Sequence, residues 1–264
     1  MVARPTPYPD VNEILKMLLA RTSDILGPQM VGMYLYGSLS SGDFNPASSD
    51  IDFVVVTETS LAQEAVSALE KMHNEIWASS SKWAAKLEGS YVPKTLIRRH
   101  DAPGPACPSV NEGAFLVGQL GSDWIIQRHV IRECGVVLSG PDPKTLIDPV
   151  SADEIRQAVY GVLNEWWFPM IANSSWLSSH GSEYHAFAVI TMCRALHALE
   201  YRTIVSKPQA VQWARRKLGH PWAEVIDKAI AASRHENQDD FLEDTLNFIR
   251  FTKEQAGKSD LEDV

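Results

Sequence analysis

The chain has 264 residues, 45% of them hydrophobic and 22% charged, so it can bury a sizeable core in one large domain or two smaller ones. Its formal net charge of −9 argues against a nucleic-acid-binding surface, which usually needs a basic footprint. The acidic balance is compatible with a small cationic substrate. No apolar stretch approaches the roughly 20 residues that span a bilayer, so we expect no membrane partner.

The three cysteines, Cys107, Cys134 and Cys193, form no CxxC pair and leave an odd thiol. That pattern fits a reducing compartment better than a disulfide framework. The first residues lack the apolar region of a signal peptide. We therefore expect a cytoplasmic protein, acting as a monomer.

The first half of the chain alternates helical and strand patterns. Gly27-Pro28 ends the first predicted helix, and Ser60 with Gln63 resembles a capping box that opens the second. The predicted elements are a helix at 11–26, strands at 31–36 and 51–56, a helix from 60 to about 77, a strand region at 83–97, a loop at 101–108, a helix at 125–137 and a short strand at 136–138.

After the break at residues 139–143 the pattern becomes purely helical. Ser151 and Glu154 form a second predicted capping box, and the Trp166-Trp167-Phe168 cluster is expected in a core or a domain interface. Helices are predicted at about 152–168, 184–203, 208–218, 221–234 and 239–256. The chain is therefore expected to divide near residues 140–150.

One stretch, residues 36–56, concentrates the chemistry. Gly37-Ser38 forms a turn that can offer backbone N–H groups and a hydroxyl to a phosphate. Asp50 and Asp52 stand two apart at the start of a buried strand, so their side chains share one face. Like charges held that close repel unless a cation lies between them. The stretch predicts a site for a metal-bound nucleoside triphosphate.

Nucleotidyl transfer needs a grip on the phosphates and divalent metal at the α-phosphate, with a metal or base to activate the attacking hydroxyl. Two carboxylates that bridge two Mg²⁺ ions supply the metal part, and a third completes it or acts as the base. ATP is the expected co-substrate.

The stretch resembles the signature of the polymerase-beta-like nucleotidyltransferase superfamily, a Gly-Ser turn followed by Asp-x-Asp on the next strand. Ser49-Asp50-Ile51-Asp52 and Gly42 look like those of the small antibiotic-modifying members. The resemblance implies a third carboxylate on a following strand, and Glu88 is the best candidate. By analogy with aminoglycoside adenylyltransferases, Glu88 would be the general base and a metal ligand. Glu112 and Asp101 are rivals in loop-like sequence.

The helical half resembles the C-terminal domain of the aminoglycoside 3''/9-adenylyltransferases, in the segments from His185 to Arg194 and from Ser206 to Ala214. That resemblance implies that Arg194 and Lys207 contact the triphosphate. Lys207 also stands at a predicted helix N-terminus, where the dipole favours an anion.

The resemblance implies an α/β (α+β) fold class. Residues 1–145 would form a nucleotidyltransferase domain with a mixed sheet flanked by helices. Residues 146–264 would form a helical bundle domain that completes the nucleotide and substrate cleft. The implied reaction transfers AMP from ATP to a hydroxyl of a small cationic antibiotic of the streptomycin or spectinomycin type.

Streptomycin-adenylating members use tryptophan and acidic side chains at the cleft, and here Trp176 and Glu183 occupy a comparable loop. The segment from 166 to 190 contains no aspartate, which leaves the identity of the drug open. Two alternatives also stay open. The acceptor is a protein or another small molecule, or the chain is a nucleotide-binding regulator without turnover.

Overall fold

The computed structural model describes residues 5–99, 104–236 and 239–261, with side chains through residue 258. The chain divides into two compact units, Met1–Pro149 and Val150–Val264. The sequence placed the boundary after residue 145, a few residues earlier.

The first unit is built on a mixed sheet of six strands in the order β5-β4-β3-β2-β1-β6. Its mixed character, with helices packed on it, confirms the predicted fold class. Strands β2 and β3 run parallel, and the other neighbouring pairs are antiparallel. The strands are β1 (Met30–Leu35), β2 (Ile51–Thr57), β3 (Leu87–Pro93), β4 (Cys107–Asn111), β5 (Ala114–Gly118) and β6 (Val136–Ser139).

The α-helices of the first unit connect these strands. They are α1 (Pro9–Leu26), α2 (Gly37–Ser41), α3 (Gln63–Trp77), α4 (Lys94–Arg98), α5 (Asp123–Cys134) and α6 (Pro143–Leu146). Since β2 and β3 are parallel, α3 serves as the crossover between them.

Each face of the sheet packs a separate hydrophobic core. Phe53 and Val55 face the core that contains α1 and α3 residues, whereas Val54 and Val56 face the core that contains Trp124 of α5. This alternation follows from the two-residue period of a strand. Asp52, two residues before Val54, therefore projects on the α5 side of the sheet.

Two local predictions in this unit are wrong. Helix α3 begins at Gln63 after Ala62, without a side-chain cap, so Ser60 and Gln63 form no capping box. The predicted loop at 101–108 runs into β4, which begins at Cys107, while residues 101–103 lie outside the described residues. Pro108 is accommodated because the pairing of β4 with β3 runs through Ser109 and Val110, beyond the proline.

The described residues of the second unit form helices and connecting turns. A π-helical turn (Leu163–Trp167) and a 3-10 turn (Phe168–Ile171) follow the first helix. The α-helices are α7 (Ala152–Val162), α8 (Ser175–Tyr201), α9 (Lys207–Leu218), α10 (Trp222–Ser233) and α11 (Leu242–Leu261). Helix α8 packs against α9, α10 and α11, and is broken at Gly181 (φ 71°, ψ −167°).

The predicted capping box at the start of α7 is confirmed. The Glu154 N–H donates to Ser151 Oγ at 3.2 Å, and the Ser151 N–H donates to Glu154 Oε2 at 2.8 Å. Trp167 and Phe168 are buried, whereas Trp166 is exposed. Among the helices of the described ranges, none is long and apolar enough to cross a membrane.

Candidate active site

The Gly-Ser segment forms the short helix α2 at the end of β1. Gly37 opens it with φ 60°, and Gly42 closes it in the left-handed region with φ 79°. The backbone N–H groups of Gly42 and Asp43 both donate to the Ser38 carbonyl. The chain therefore turns sharply after Ser38, which is half-buried.

The loop from α2 to β2 is fixed by one aromatic side chain and one asparagine. Phe44 is buried between the rings of Tyr8 and Trp83, with centroid distances of 4.9 and 5.6 Å. The Asn45 carbonyl accepts the N–H groups of Ser48 and Ser49 at 3.1 and 2.8 Å. These contacts determine where Asp50 enters β2.

Asp52 and Glu88 lie side by side on the parallel strands β2 and β3, where they are register partners. On the other side of Asp52, the Tyr36 N–H donates to the Asp52 carbonyl at 3.1 Å. Tyr36, Asp52 and Glu88 therefore form one row across three adjacent strands. The structure brings together two of the three predicted carboxylates through this register.

The pKa of Tyr36 reflects the carboxylates that lie near its hydroxyl. Burial raises the pKa of its hydroxyl well above the ordinary value of 10.0, and the negative charges of Asp52, Glu88 and Asp123 raise it further. The phenol therefore stays neutral beside these carboxylates. It offers an O–H group at neutral pH.

Asp123 is a site residue that the sequence reasoning missed. It is the first residue of α5, and its Oδ2 accepts a hydrogen bond from Gln127 at 2.7 Å. An acidic residue in the first turn of a helix is common, because it complements the helix dipole, so Asp123 carries no distinctive pattern. Its place becomes visible only when α5 is packed beside the strand end that carries Tyr36.

Gly37 is required by space as well as by backbone conformation. A β-carbon at this position would lie 2.7 Å from Asp52 Cγ and would collide with Oδ2. Its positive φ is also unfavourable for any residue with a β-carbon. The absence of a side chain at Gly37 is therefore what lets the Asp52 carboxylate occupy its position.

Asp50 is held by a lysine. Lys86 Nζ lies 3.3 Å from Asp50 Oδ1, and both side chains are about half exposed. Lys86 ends the 3-10 turn Ala84–Lys86, immediately before β3. Lys86 therefore supplies a positive charge among the predicted metal ligands.

Within the ranges that the structure describes, no three His, Cys, Asp or Glu side chains are grouped closely enough to hold a metal ion. The chemistry of the donors nonetheless fits magnesium, which prefers carboxylate oxygens and keeps several waters. Asp52 and Glu88 already stand adjacent, and Asp50 precedes them with its ammonium partner. The donor types of these three residues suit magnesium, and Asp52 and Glu88 are the two that the strand register brings together.

Glu112 and Asp101 were the alternative candidates for the third carboxylate. Glu112 lies in the turn between β4 and β5 with φ 47°, and β3 separates β4 from β2 in the sheet. Asp101 lies outside the described residues. Of the three candidates, Glu88 is the one placed in register with Asp52.

A groove of about 440 Å³ opens on the sheet face that carries Glu88. Ser90, two residues after Glu88, is the register partner of Ser109, which in turn pairs with Leu116. These three residues line the groove together with Asp123 and Trp124 at the start of α5. The lining of the groove therefore includes the hydroxyls of Ser90 and Ser109, the exposed side chain of Leu116 and the carboxylate of Asp123.

In the second unit, Arg194 and Lys207 approach one face of α8. Lys207 is the first residue of α9, and its Nζ lies 5.7 Å from the centre of the Phe187 ring. Arg194 follows Phe187 by seven residues, about two helical turns, and so shares its face. Lys207 therefore lies near the exposed Phe187 ring, and Arg194 lies on the same face of α8 as that ring.

Trp176 and Glu183 lie on opposite sides of the break at Gly181. The Trp176 ring stacks on His180 with centroids 4.3 Å apart and makes edge contacts with Trp166 and Tyr184. Glu183 is exposed and its Oε1 lies 3.1 Å from His235 Nδ1. Trp176 therefore belongs to an aromatic cluster, and Glu183 to a surface pair.

Comparison with known proteins agrees with both halves. Residues 15–99 match the family described as nucleotidyltransferase domain, and residues 145–256 match the aminoglycoside adenylyltransferase C-terminal domain. Aminoglycoside (3'') (9) adenylyltransferase of Escherichia coli is 25% identical over 244 residues, covering 85% of this chain and 88% of that protein. Spectinomycin 9-adenylyltransferase of Staphylococcus aureus is 26% identical over 229 residues, covering 82% of each.

A solved structure shares the fold. The crystal structure of spectinomycin adenyltransferase from Enterococcus faecialis with ATP and spectinomycin superimposes with a TM-score of 0.76 at 18% identity, covering 93% of this chain and 98% of that one. The two domain matches and the relatives, which align over 88% and 82% of their own length, together identify the family of the chain. It belongs to the aminoglycoside 3''/9-adenylyltransferase-like family of the polymerase-beta-like nucleotidyltransferase superfamily.

Proposed function

We propose that the chain transfers AMP from ATP to a hydroxyl of an aminoglycoside or aminocyclitol antibiotic of the streptomycin or spectinomycin type. The observation that carries the proposal is the register pairing of Asp52 with Glu88 beside the Gly37-Ser38 turn. The acceptor oxygen forms a bond to the α-phosphorus of ATP. The bond between that phosphorus and the oxygen that bridges the α- and β-phosphates breaks, and pyrophosphate leaves.

In this proposal the three carboxylates act as metal ligands, and one of them is also the general base. Glu88 accepts the proton of the attacking hydroxyl as general base. Asp50, Asp52 and Glu88 would hold magnesium, with two ions expected, through carboxylate oxygens. When bound, the metal neutralises charge on the phosphates and supports the attacking oxygen.

We assign four residues to the phosphates, namely Gly37, Ser38, Arg194 and Lys207. Gly37 and Ser38 offer backbone N–H groups at the start of α2 and the serine hydroxyl. Arg194 and Lys207 supply positive charge from the second unit, and Lys207 does so at the first position of a twelve-residue helix. Asp123 and the Tyr36 hydroxyl border the same reacting region.

We assign the acceptor to Trp176 and Glu183, which offer an aromatic face and a carboxylate to a cationic amine. The groove lined by Ser90 and Ser109 begins beside the general base and offers hydroxyl groups to a polyhydroxylated acceptor. We assign the reaction to the cytoplasm, where ATP is available, and the active species to a monomer that binds no nucleic acid.

The direct test supplies the purified chain with ATP, Mg²⁺ and either spectinomycin or streptomycin. Pyrophosphate release together with a drug heavier by one adenylyl group, detected by mass spectrometry, is the expected result. An Asp52→Asn variant should give neither signal. Labelled ATP that marks a protein and no drug would favour the alternative acceptor, whereas ATP binding without turnover would favour a regulator.

A further inference from the structure

Two ion pairs close the two ends of the parallel β2–β3 pair. At the start, before the first register pair Ile51–Leu87, Lys86 Nζ lies 3.3 Å from Asp50 Oδ1. At the other end, after the last register pair Thr57–Pro93, Lys94 Nζ lies 3.5 Å from Glu58 Oε1. The two pairs have the same chemistry and comparable exposure, but only the first lies among the proposed catalytic carboxylates.

The Lys86–Asp50 pair lies directly before the two strands that carry the proposed catalytic carboxylates. Lys86 precedes Glu88 by two residues, and Asp50 precedes Asp52 by two. The ion pair joins the two chain segments just before the first register pair of β2 and β3. One ammonium group therefore accompanies three carboxylates at the strand ends, and a negative excess remains.

This pair is not needed to hold the fold together. A half-exposed ion pair contributes only about 0.2–1 kcal/mol, because water and salt screen it. A lysine ammonium on a four-carbon stem is also a mobile point charge that exchanges partners readily. The local structure instead rests on buried neighbours, since Trp83 and Leu87 on either side of Lys86 are both buried.

We propose that the Lys86 ammonium pairs with the Asp50 carboxylate in the nucleotide-free enzyme. When nucleotide and metal bind, the ammonium moves to the triphosphate. The proposal rests on the proposed function. Lys86 thus serves two anions in turn, limiting the affinity of Asp50 for metal alone and adding a phosphate contact once Asp50 is engaged. No covalent bond changes in this exchange.

The exchange makes two predictions of opposite sign for Lys86→Gln. Without nucleotide, loss of the competing ammonium should tighten Mn²⁺ binding about two- to fivefold, measured by the free-ion signal in electron paramagnetic resonance. With saturating Mg²⁺, loss of the phosphate contact should weaken ATP binding about tenfold, measured by titration calorimetry. Lys86→Arg, which keeps the charge, should stay near the wild type in both.

Lys94→Gln is the matched control, because it removes the same charge from the equivalent pair at the opposite end of the same strands. It should change neither affinity. Thermal melting of both variants checks that each is folded.

Three outcomes would overturn the proposal for Lys86. Unchanged affinities in Lys86→Gln would make the pair an ordinary surface contact, and weaker Mn²⁺ binding would make Lys86 a support of the metal site. Tighter Mn²⁺ binding with unchanged ATP affinity would exclude the transfer to phosphate. If the wild type transfers AMP and one of these three outcomes is found, the lysine role alone is refuted, whereas a wild type that binds no ATP refutes the proposed function as well.

Discussion

The Cα of Gly37 packs directly against the carboxylate of Asp52, leaving no room for a β-carbon between them. The contact joins the turn proposed for the phosphates to a carboxylate proposed for the metal. Any side chain at Gly37 would therefore displace Asp52 as well as strain the turn.

Gly37→Ala should reduce kcat/KM for ATP by about a hundredfold or more, because displacement of a reacting group by about 1 Å has that effect. Gly42→Ala is a clean comparison, since Gly42 also has a positive φ but nothing lies within 4 Å of its would-be β-carbon. Gly42→Ala should lose stability of about 1–2 kcal/mol from backbone strain and keep most of its activity. Equal loss of activity in both variants would remove the role of the Gly37–Asp52 contact.

Asp52→Asn should lower kcat by about a thousandfold, because a metal-held carboxylate accounts for several kcal/mol of transition-state stabilisation. Pyrophosphate release at saturating ATP, Mg²⁺ and acceptor is the measurement. Asp43→Asn removes the same charge from an exposed position in the loop that precedes β2 and should leave kcat unchanged. Full activity of Asp52→Asn would refute the mechanism.

Glu88→Gln should lower kcat by about 10²- to 10⁴-fold, the range for loss of a general base. Residual activity should rise with pH as hydroxide replaces the missing base. Glu112→Gln tests the rival carboxylate and should be close to the wild type. The reverse pattern, with Glu112→Gln inactive and Glu88→Gln active, would move the base to the β4–β5 turn.

His73 predicts how stability depends on pH. It is fully buried on α3, lies 2.8 Å from the Tyr91 hydroxyl and stacks on Phe53. Burial, together with the positive charge of Arg21, lowers its pKa from 6.5 to about 4. The folded protein therefore holds this imidazole neutral.

Because the unfolded chain binds this proton near pH 6.5 and the folded chain only near pH 4, the stabilisation is complete above 6.5 and is lost as pH falls from 6.5 to 4. The loss attributable to His73 should be about 3 kcal/mol in the free energy of unfolding. Urea melts of wild type and His73→Phe across this range isolate it, since the difference between them should shrink or reverse toward pH 4. A constant difference would contradict the prediction.

Ser151→Ala should destabilise the protein by about 1 kcal/mol, because it removes the acceptor of the Glu154 N–H at the start of α7. Ser60→Ala is the matched substitution at a position where a capping box was predicted and does not form, and it should change stability by less than about 0.5 kcal/mol. Thermal melts compare the two. Equal effects would mean that the cap itself contributes nothing measurable.

The local part of the site follows from sequence because its signals are local. The Gly-Ser turn, the apolar strand after Asp52 and the strand that contains Glu88 each carry their own pattern, and the structure has all three elements. Strands β4 and β5 were missed, because Pro108 and Gly113 read as loop signals and β5 is largely exposed. Short edge strands carry little apolar alternation to detect.

The non-local part of the site does not follow from sequence. Asp123 reaches the site through the packing of α5, and Lys86 meets Asp50 through the parallel register of β2 and β3. Neither relationship has a fixed spacing along the chain. The capping box predicted at Ser60 shows the opposite error. The sequence pattern is present, but no cap forms because the helix starts at Gln63.

The break at Gly181 separates two kinds of residue on one helix. Trp176 and His180 precede it, whereas Arg194 lies beyond it among buried positions that anchor α8. Substitutions of Trp176 and His180, which are not fully buried, can therefore reshape the aromatic cluster while the buried Leu177 and the buried residues beyond Gly181 still anchor the helix. In the proposed enzyme, the range of antibiotics accepted can diversify under drug selection while the use of ATP stays constant.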